Sequence, residues 1–326
     1  MGLFSLLRNS RALYSILAFI LTIGAGLPGL NIPNADMSDV TLPDGFEEQL
    51  NADSFENTAD VRIMDSNVMV DYDWGYGVTA PVPPRAAMFY KILEAYRPDV
   101  VGVQEASKAW SANFIRNLPG GYRLINPVST YTDEKMTALI YNTDTLKLID
   151  SGDFKFNQDV DKRLRRVVWG VFEVKETGKI FGVTNTHFDG INWEDTSSLQ
   201  KTFAEADEMV AAVNKIIKKY DCPVFSTGDY NTRDNNYEQT MWSETYARIT
   251  ESLLDTKHNC KNAREGNAKD HPDEIKYNVY ITLDMPFIDH IFYKGNAEIE
   301  TYCLLSYTYL DDLSDAFPIF TDAILN

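Results

Sequence analysis

Basic residues are scarce in this chain, and cysteine and histidine are scarcer. Thirty Lys and Arg stand against 48 Asp and Glu over 326 residues, a net charge of −18. That balance excludes a broad basic face of the kind that grips long nucleic acid through its phosphates. It leaves open a small cationic or metal-bearing cleft. Cys222, Cys260 and Cys303 are the only three cysteines. They are too few and too scattered for a disulfide scaffold or a zinc knuckle, and allow at most one pair plus a free thiol. Repeats and low-complexity runs are missing between Val61 and Leu325, which excludes a repeat solenoid. What the chain does have is core-forming material. It is 44% hydrophobic and 12% aromatic, well above a disordered composition. Its length allows one large domain or two ordinary ones.

The N-terminus reads as an export segment. Met1 to Arg11 carries Arg8 and Arg11 and no acid, and Ala12 to Leu27 is apolar apart from Ser15, Thr22 and small residues. A positive stretch followed by an apolar one is the pattern of a signal peptide, and the run is at the short end for a spanning helix. Residues 1–35 are therefore expected to be a cleaved signal peptide or a membrane anchor, and membrane association follows only from the anchor. Residues 36–60 are polar, contain Pro and Gly and show no helical period, so they are expected to be a flexible linker. The folded domain is expected over 61–326.

Within that domain several stretches alternate apolar and polar residues as half-buried strands do. They are Val61–Met69, Met136–Tyr141, Val167–Glu173, Ile180–His187 and Phe287–Tyr293. Val100–Gln104 and Val224–Thr227 are short and apolar, as fully buried strands are. Glu176 to Lys179 reads as a hairpin turn. Pro84 opens a helix whose apolar residues run from Met88 to Tyr96 before Pro98 stops it. Leu199, Phe203, Ala206, Val210, Val213 and Ile217 share one face of a second helix. Many strands with interspersed helices predict two sheets covered by helices.

Polar residues recur where these strands end. Asn67 interrupts the first apolar run. Gln104-Glu105 closes the second, Asn185-Thr186-His187-Phe188-Asp189 closes another, and Gly228-Asp229-Tyr230-Asn231 closes a fourth. Asp289-His290 lies inside Phe287–Phe292, and Ser314-Asp315 precedes the last apolar strand. A single Asp or Asn at a strand end is an ordinary turn former or cap. Such events on several different strands point to a site, because buried carboxylates must be paired or bound to a cation. Carboxylate oxygens suit a hard cation such as Mg²⁺, which keeps waters and bridges to phosphate. Strand alternation puts Asp289 on the opposite face from His290, so His290 reads as structural. His258 and His271 lie in polar, loop-like sequence and also read as non-catalytic.

These six motifs, in this order, resemble the endonuclease/exonuclease/phosphatase superfamily over about Val61 to Leu325. The resemblance implies a DNase I-like fold: a four-layered α/β sandwich of two mixed, mostly antiparallel sheets covered by helices. It implies a divalent-metal-dependent phosphoester hydrolase. Glu105 would be the principal metal ligand, with Asn67 and Gln104 beside it, and Mg²⁺, Mn²⁺ or Ca²⁺ the ion. Asp229 would orient or deprotonate the attacking water, Asn231 would hold the phosphate and that water, and His187 would donate to a phosphate oxygen. Asp289 would support the phosphate or the leaving group. The substrate would be a phosphoester, whether lipid headgroup, nucleotide or nucleic acid, and no protein partner is implied.

One position departs from the family. Its last motif is Ser-Asp-His, and here Ser314-Asp315 is followed by Ala316. None of the four histidines lies nearby in sequence. The resemblance therefore implies an enzyme crippled at Ala316, by deliberate substitution or by natural loss. Five other intact motifs favour substitution, since a drifting pseudoenzyme would lose several. The alternative is a non-catalytic protein that uses the cleft to hold a phosphorylated ligand.

Overall fold

The computed structural model describes residues 36–71, 81–125, 137–157, 165–191, 196–234, 240–278 and 281–326. The expected export segment, 1–35, and Met136 at the head of one expected strand lie outside these ranges. Among the described residues, no helix is long and apolar enough to cross a membrane.

Helix α1 (Phe46–Asp53) precedes strand β1 (Val61–Asn67). Helix α2 (Val82–Tyr96) leads to β2 (Val100–Gln104), and α3 (Lys108–Asn117) follows. Strands β3 (Tyr122–Ile125), β4 (Ala138–Asn142), β5 (Leu146–Lys155), β6 (Arg166–Val174) and β7 (Ile180–His187) come next. Helix α4 (Thr196–Tyr220) leads to β8 (Val224–Asp229), then α5 (Thr240–Thr250) and β9 (Leu254–Asp255). Strands β10 (Asn262–Glu265), β11 (Asp289–Lys294), β12 (Ala297–Leu304) and β13 (Ile319–Leu325) complete the chain.

These strands form a seven-stranded sheet, in order β10-β12-β13-β1-β2-β4-β3, and a six-stranded sheet, in order β5-β6-β7-β8-β11-β9. Both are mixed. β1 runs parallel to β2 through the α2 crossover, β7 parallel to β8 through α4, and most other pairs are antiparallel. The expected four-layered α/β sandwich is therefore the observed one. The layers follow from strand alternation. On β6, Val168 and Phe172 join the core between the sheets, whereas Val167 and Val171 join the core under Ala206, Met209 and Val213 of α4.

The sheets approach most closely at Gly102 of β2. A Cβ there would lie 2.0 Å from Thr227 Oγ1 and 2.8 Å from Asn185 Oδ1, so only glycine fits. Around it runs a buried polar seam. Gln104 Nε2 donates to Asp65 Oδ1 (2.6 Å) and to Asn185 Oδ1 (2.7 Å), and Asn185 Nδ2 donates to the carbonyls of Val103 and Ala138.

One expectation is corrected. Residues 36–60 are not a flexible linker throughout, because α1 buries Phe46 (1% exposed) and Leu50 (2%) in the main core. Two apolar residues four apart are too sparse to show a period in the sequence, but they suffice to dock one short helix. All three cysteines are free thiols, with no pair among them.

Candidate functional site

The strand registers assemble the site at one end of the sandwich. Asn67 on β1 sits opposite Gln104 on β2, while His187 on β7 and Asp289 on β11 both sit opposite Asp229 on β8. Residues scattered over more than 200 positions of sequence thus come to adjacent strand ends.

The side chains are linked. Asn67 Oδ1 accepts from the Met69 N–H (2.9 Å), and its Nδ2 donates to Asp229 Oδ2 (3.1 Å). His187 Nε2 lies 3.5 Å from the same Asp229 oxygen. The other Asp229 oxygen accepts from the Asn231 N–H (2.9 Å), and Asn231 Nδ2 donates to the Phe188 carbonyl (2.9 Å). Glu105 Oε2 accepts from the Val70 N–H (3.0 Å), which fixes the loop after β1 to the loop after β2. Three of the loop residues, Met69, Glu105 and Asn231, hold left-handed φ values of 52°, 57° and 48°. None is glycine, and strained backbone of this kind persists where surrounding contacts over-determine it, commonly at functional sites.

The loop before β13 belongs to the same site. Arg85 of α2 donates to the carbonyls of Val68, Met69 and Val70 and also reaches the Leu313 carbonyl (3.4 Å), so it ties the β1 loop to Leu313–Ala316. Burial pushes this guanidinium down to about 10. Asn278 Nδ2 donates to the Ser314 carbonyl (3.0 Å), Ser314 Oγ donates to Asp315 Oδ1 (3.3 Å), and the Ala316 N–H reaches Ser314 Oγ (3.4 Å). The charge of Asp315 acts on Asp289, and that of Glu105 acts on Asp315. The loop that carries Ala316 is therefore tied to the loop after β1.

The carboxylates hold one another in unusual states. Burial first, and then the neighbouring charge of Glu105, push Asp229 up to about 7, against the opposing pull of the Asn231 N–H, Arg165 and Asn67. Burial also holds Asp289 well above the usual carboxylate range, with Asp229, Asp65, Asp315 and Glu105 adding to the effect. Asp65, behind them in the inter-sheet seam, is raised by burial as well. Strongly perturbed carboxyls gathered at one place mark a site built for chemistry or for a cation.

Solved structures share this architecture. An endonuclease/exonuclease/phosphatase family protein from Bacteroides thetaiotaomicron superposes with a TM-score of 0.64 at 18% identity, covering 81% of this chain and 97% of its own. The chain has the endonuclease/exonuclease/phosphatase fold. The mannosyl-6-phosphatase of the same organism gives a TM-score of 0.63 at 19% identity, with 81% of this chain and 99% of its own covered. The human Nocturnin catalytic domain, solved with a bound sulfate, gives 0.57 at 16% identity, with coverages of 85% and 99%. No family model and no curated protein matches the sequence itself.

On this fold the expected residues separate into those that meet and one that does not. Asn67, Glu105, His187, Asp229, Asn231 and Asp289 meet at the strand ends, with Asp315 and Ala316 on the adjoining loop. Gln104 does not join them. It is fully buried, and its Nε2 donates to Asp65 and Asn185 between the sheets, while its Oε1 has no hydrogen-bond partner among the described residues. The backbone of Glu105 turns into a left-handed conformation immediately after it, which sends the two neighbouring side chains to different places.

The donors that remain suit a hard divalent cation. Asp289 Oδ1 is buried with no hydrogen-bond partner among the described residues, and burial, with the surrounding carboxylates adding to it, raises its proton affinity, so the cluster is short of positive charge. Among the described residues no three His, Cys, Asp or Glu side chains stand close enough to clasp an ion by themselves. An ion held there would take one or two protein oxygens and draw its remaining ligands from water and substrate.

His290, read as structural, is buried behind the site between Asp255 (3.2 Å) and the Thr232 carbonyl (3.1 Å). His258 sits on Asp234 (3.2 Å), away from the strand-end carboxylates, and His271 is exposed. Three residues of the site gave little warning in the sequence. Arg85 is a single basic residue in a stretch that reads as helix surface, and Arg165 is one of four basic residues between Lys162 and Arg166. Asp189 closes a motif, but its role depends on Arg165, 3.1 Å away.

Proposed function

We propose that this chain is a divalent-metal-assisted phosphoester hydrolase by architecture, crippled at its last catalytic position by Ala316. The convergence of Asn67, Glu105, His187, Asp229, Asn231 and Asp289 on one end of the two sheets carries this reading. Phosphoester hydrolysis needs a positioned water, charge stabilisation on the non-bridging oxygens and help for the leaving oxygen. Asp229 supplies the first need. Pushed up to about 7, it can take a proton from water near neutral pH and is held in place by the Asn231 N–H and the Asn67 amide. Asn231 and His187, on either side of it, donate to the phosphate. Glu105, with Asn67 beside it, would hold the cation, which when bound supplies charge neutralisation at the phosphate. Asp289 and Asp315 lie where a protonated carboxyl would assist the leaving oxygen, and burial favours the protonated form in both.

The substrate class is a phosphoester. The sugar phosphatase among the structural neighbours puts phosphate monoesters on the test panel beside diesters. Ala316 favours a second reading, a binding protein that holds a phosphorylated ligand without turnover. One experiment separates the two. Ala316→His is assayed with Mg²⁺ or Mn²⁺ against bis(p-nitrophenyl) phosphate, p-nitrophenyl phosphate, a hexose 6-phosphate, inositol phosphates, sphingomyelin, nucleotides, RNA and DNA. Restoring the imidazole is expected to raise turnover by about 10²–10⁴, with little change in ligand affinity. If the variant folds and binds metal but hydrolyses nothing on the panel, the binding-protein reading replaces the enzyme reading.

A further inference from the structure

The backbone of the loop after β1 is held from two sides. Its N–H groups go to the two residues that would hold the cation: Met69 donates to Asn67 Oδ1 (2.9 Å) and Val70 to Glu105 Oε2 (3.0 Å). Its carbonyls are met by buried side chains from two helices. Arg85 of α2 is 2% exposed, and its Nη1 donates to the carbonyls of Val68 (2.7 Å) and Met69 (3.0 Å), its Nη2 to that of Val70 (3.2 Å). Trp110 of α3 is fully buried, and its indole N–H donates to the same Met69 carbonyl (2.9 Å). The guanidinium also stands over the indole ring, 5.2 Å from its centroid.

The two sides are joined through single peptide units. The Met69 carbonyl and the Val70 N–H belong to one peptide, so Trp110 and Arg85 grip one end of a planar group whose other end grips Glu105. The Val68 carbonyl and the Met69 N–H belong to the next, which runs in the same way from Arg85 to Asn67. A peptide unit is planar and stiff, so a donor that fixes its carbonyl fixes the direction of its N–H. Hydrogen bonds in such a chain also polarise one another. Met69 keeps a left-handed φ of 52° between these two peptides without being glycine, which is the mark of a conformation imposed by its surroundings.

We propose that Trp110 and Arg85 are positioning residues for the divalent cation: acting through the two peptides of Val68–Val70, they set where Asn67 and Glu105 stand and so set the cation affinity, without being ligands themselves. The role rests on the cation-assisted reading above. For Arg85, electrostatics alone points the other way. Its charge reaches Glu105, so removing it would tighten a cation if position did not matter.

The test is calorimetric titration with Mn²⁺, with thermal unfolding of each variant recorded in EDTA. Trp110→Phe removes the indole N–H and no charge, and Arg85→Gln removes the charge and the fork. Both are expected to weaken Mn²⁺ about 10- to 100-fold, the range for losing an outer partner of a metal ligand. Phe114→Leu is the control. The Phe114 ring packs on Trp110, with centroids 5.3 Å apart, so its loss loosens the same core while both donors stay. It is expected to lower the thermal midpoint and leave Mn²⁺ affinity unchanged. If Phe114→Leu loses Mn²⁺ as Trp110→Phe does, the effect is one of packing and the proposal is overturned. Equal or tighter Mn²⁺ binding by Arg85→Gln overturns it as well. If Arg85→Gln does not fold, Arg85→Lys takes its place: it keeps the charge but cannot span three carbonyls, and unchanged affinity in it is equally fatal. Absence of Mn²⁺ binding by the parent chain removes the cation reading and this role together. Binding by the parent that Trp110→Phe and the Arg85 variant leave unaltered removes this role alone.

Discussion

Replacing Asp229 by Asn should make the metal-free protein more stable at alkaline pH while removing its hydrolytic potential. Asp229 is 4% exposed, and its carboxyl is pushed up to about 7 from an ordinary 3.8. Because the folded state holds this proton more tightly than the unfolded chain does, the stability contributed by protonation is complete below about pH 4. It is lost as pH rises to about 7, and beyond that the buried charge is fully paid for. At about 1.4 kcal/mol per pKa unit, a rise of about three units costs about 4 kcal/mol when Asp229 is ionised. Asparagine carries no such penalty. It does sacrifice one hydrogen bond: Oδ1 can still accept from the Asn231 N–H, but an amide now faces the Asn67 amide, a loss of about 1 kcal/mol. The measurement is urea unfolding of both proteins in EDTA across a pH series. Between about pH 5 and about pH 9 the stability difference is expected to move in favour of Asp229→Asn by about 3 kcal/mol. A difference that stays constant across that window would show that Asp229 titrates as an ordinary carboxylate, and its assignment as the proton acceptor near neutral pH would fall with it.

Two further perturbations probe the cation site and the frame that carries it. Glu105→Gln keeps the acceptor for the Val70 N–H but removes the charge, so affinity for Mg²⁺ or Mn²⁺ by calorimetry should fall steeply; unchanged affinity would take Glu105 out of the site. Gly102→Ala would drive a Cβ to 2.0 Å from Thr227 Oγ1 where the sheets touch. Overpacking of this kind typically costs about 1–3 kcal/mol, occasionally more, and a thermal midpoint equal to that of the parent chain would mean that the sheets can part there without penalty.

Much of this protein was legible one strand at a time. Alternation marked β6 and β7, short apolar runs marked β2 and β8, and a helical face marked α4, because burial on one or both faces writes itself into local periodicity. The strand-end motifs were legible for a related reason: Asn, Asp, Glu and His interrupt an apolar run only where something must hold them. Face alternation also set His290 apart from Asp289. What local pattern could not carry was direction and pairing. Gln104 and Glu105 are neighbours in sequence, yet the left-handed turn at Glu105 leaves one in the inter-sheet seam and the other at the β1 loop. Phe46 and Leu50 show no period, and only the core they enter makes them a docked helix. Arg85 and Arg165 look like surface cations until the fold buries them, one against four carbonyls and the other against Asp189. The state of Asp229 was likewise beyond the sequence, since its raised proton affinity arises from desolvation and from Glu105, 124 positions earlier. Local pattern records which residues are buried. Only tertiary structure decides what each buried charge meets, and that encounter sets the chemistry.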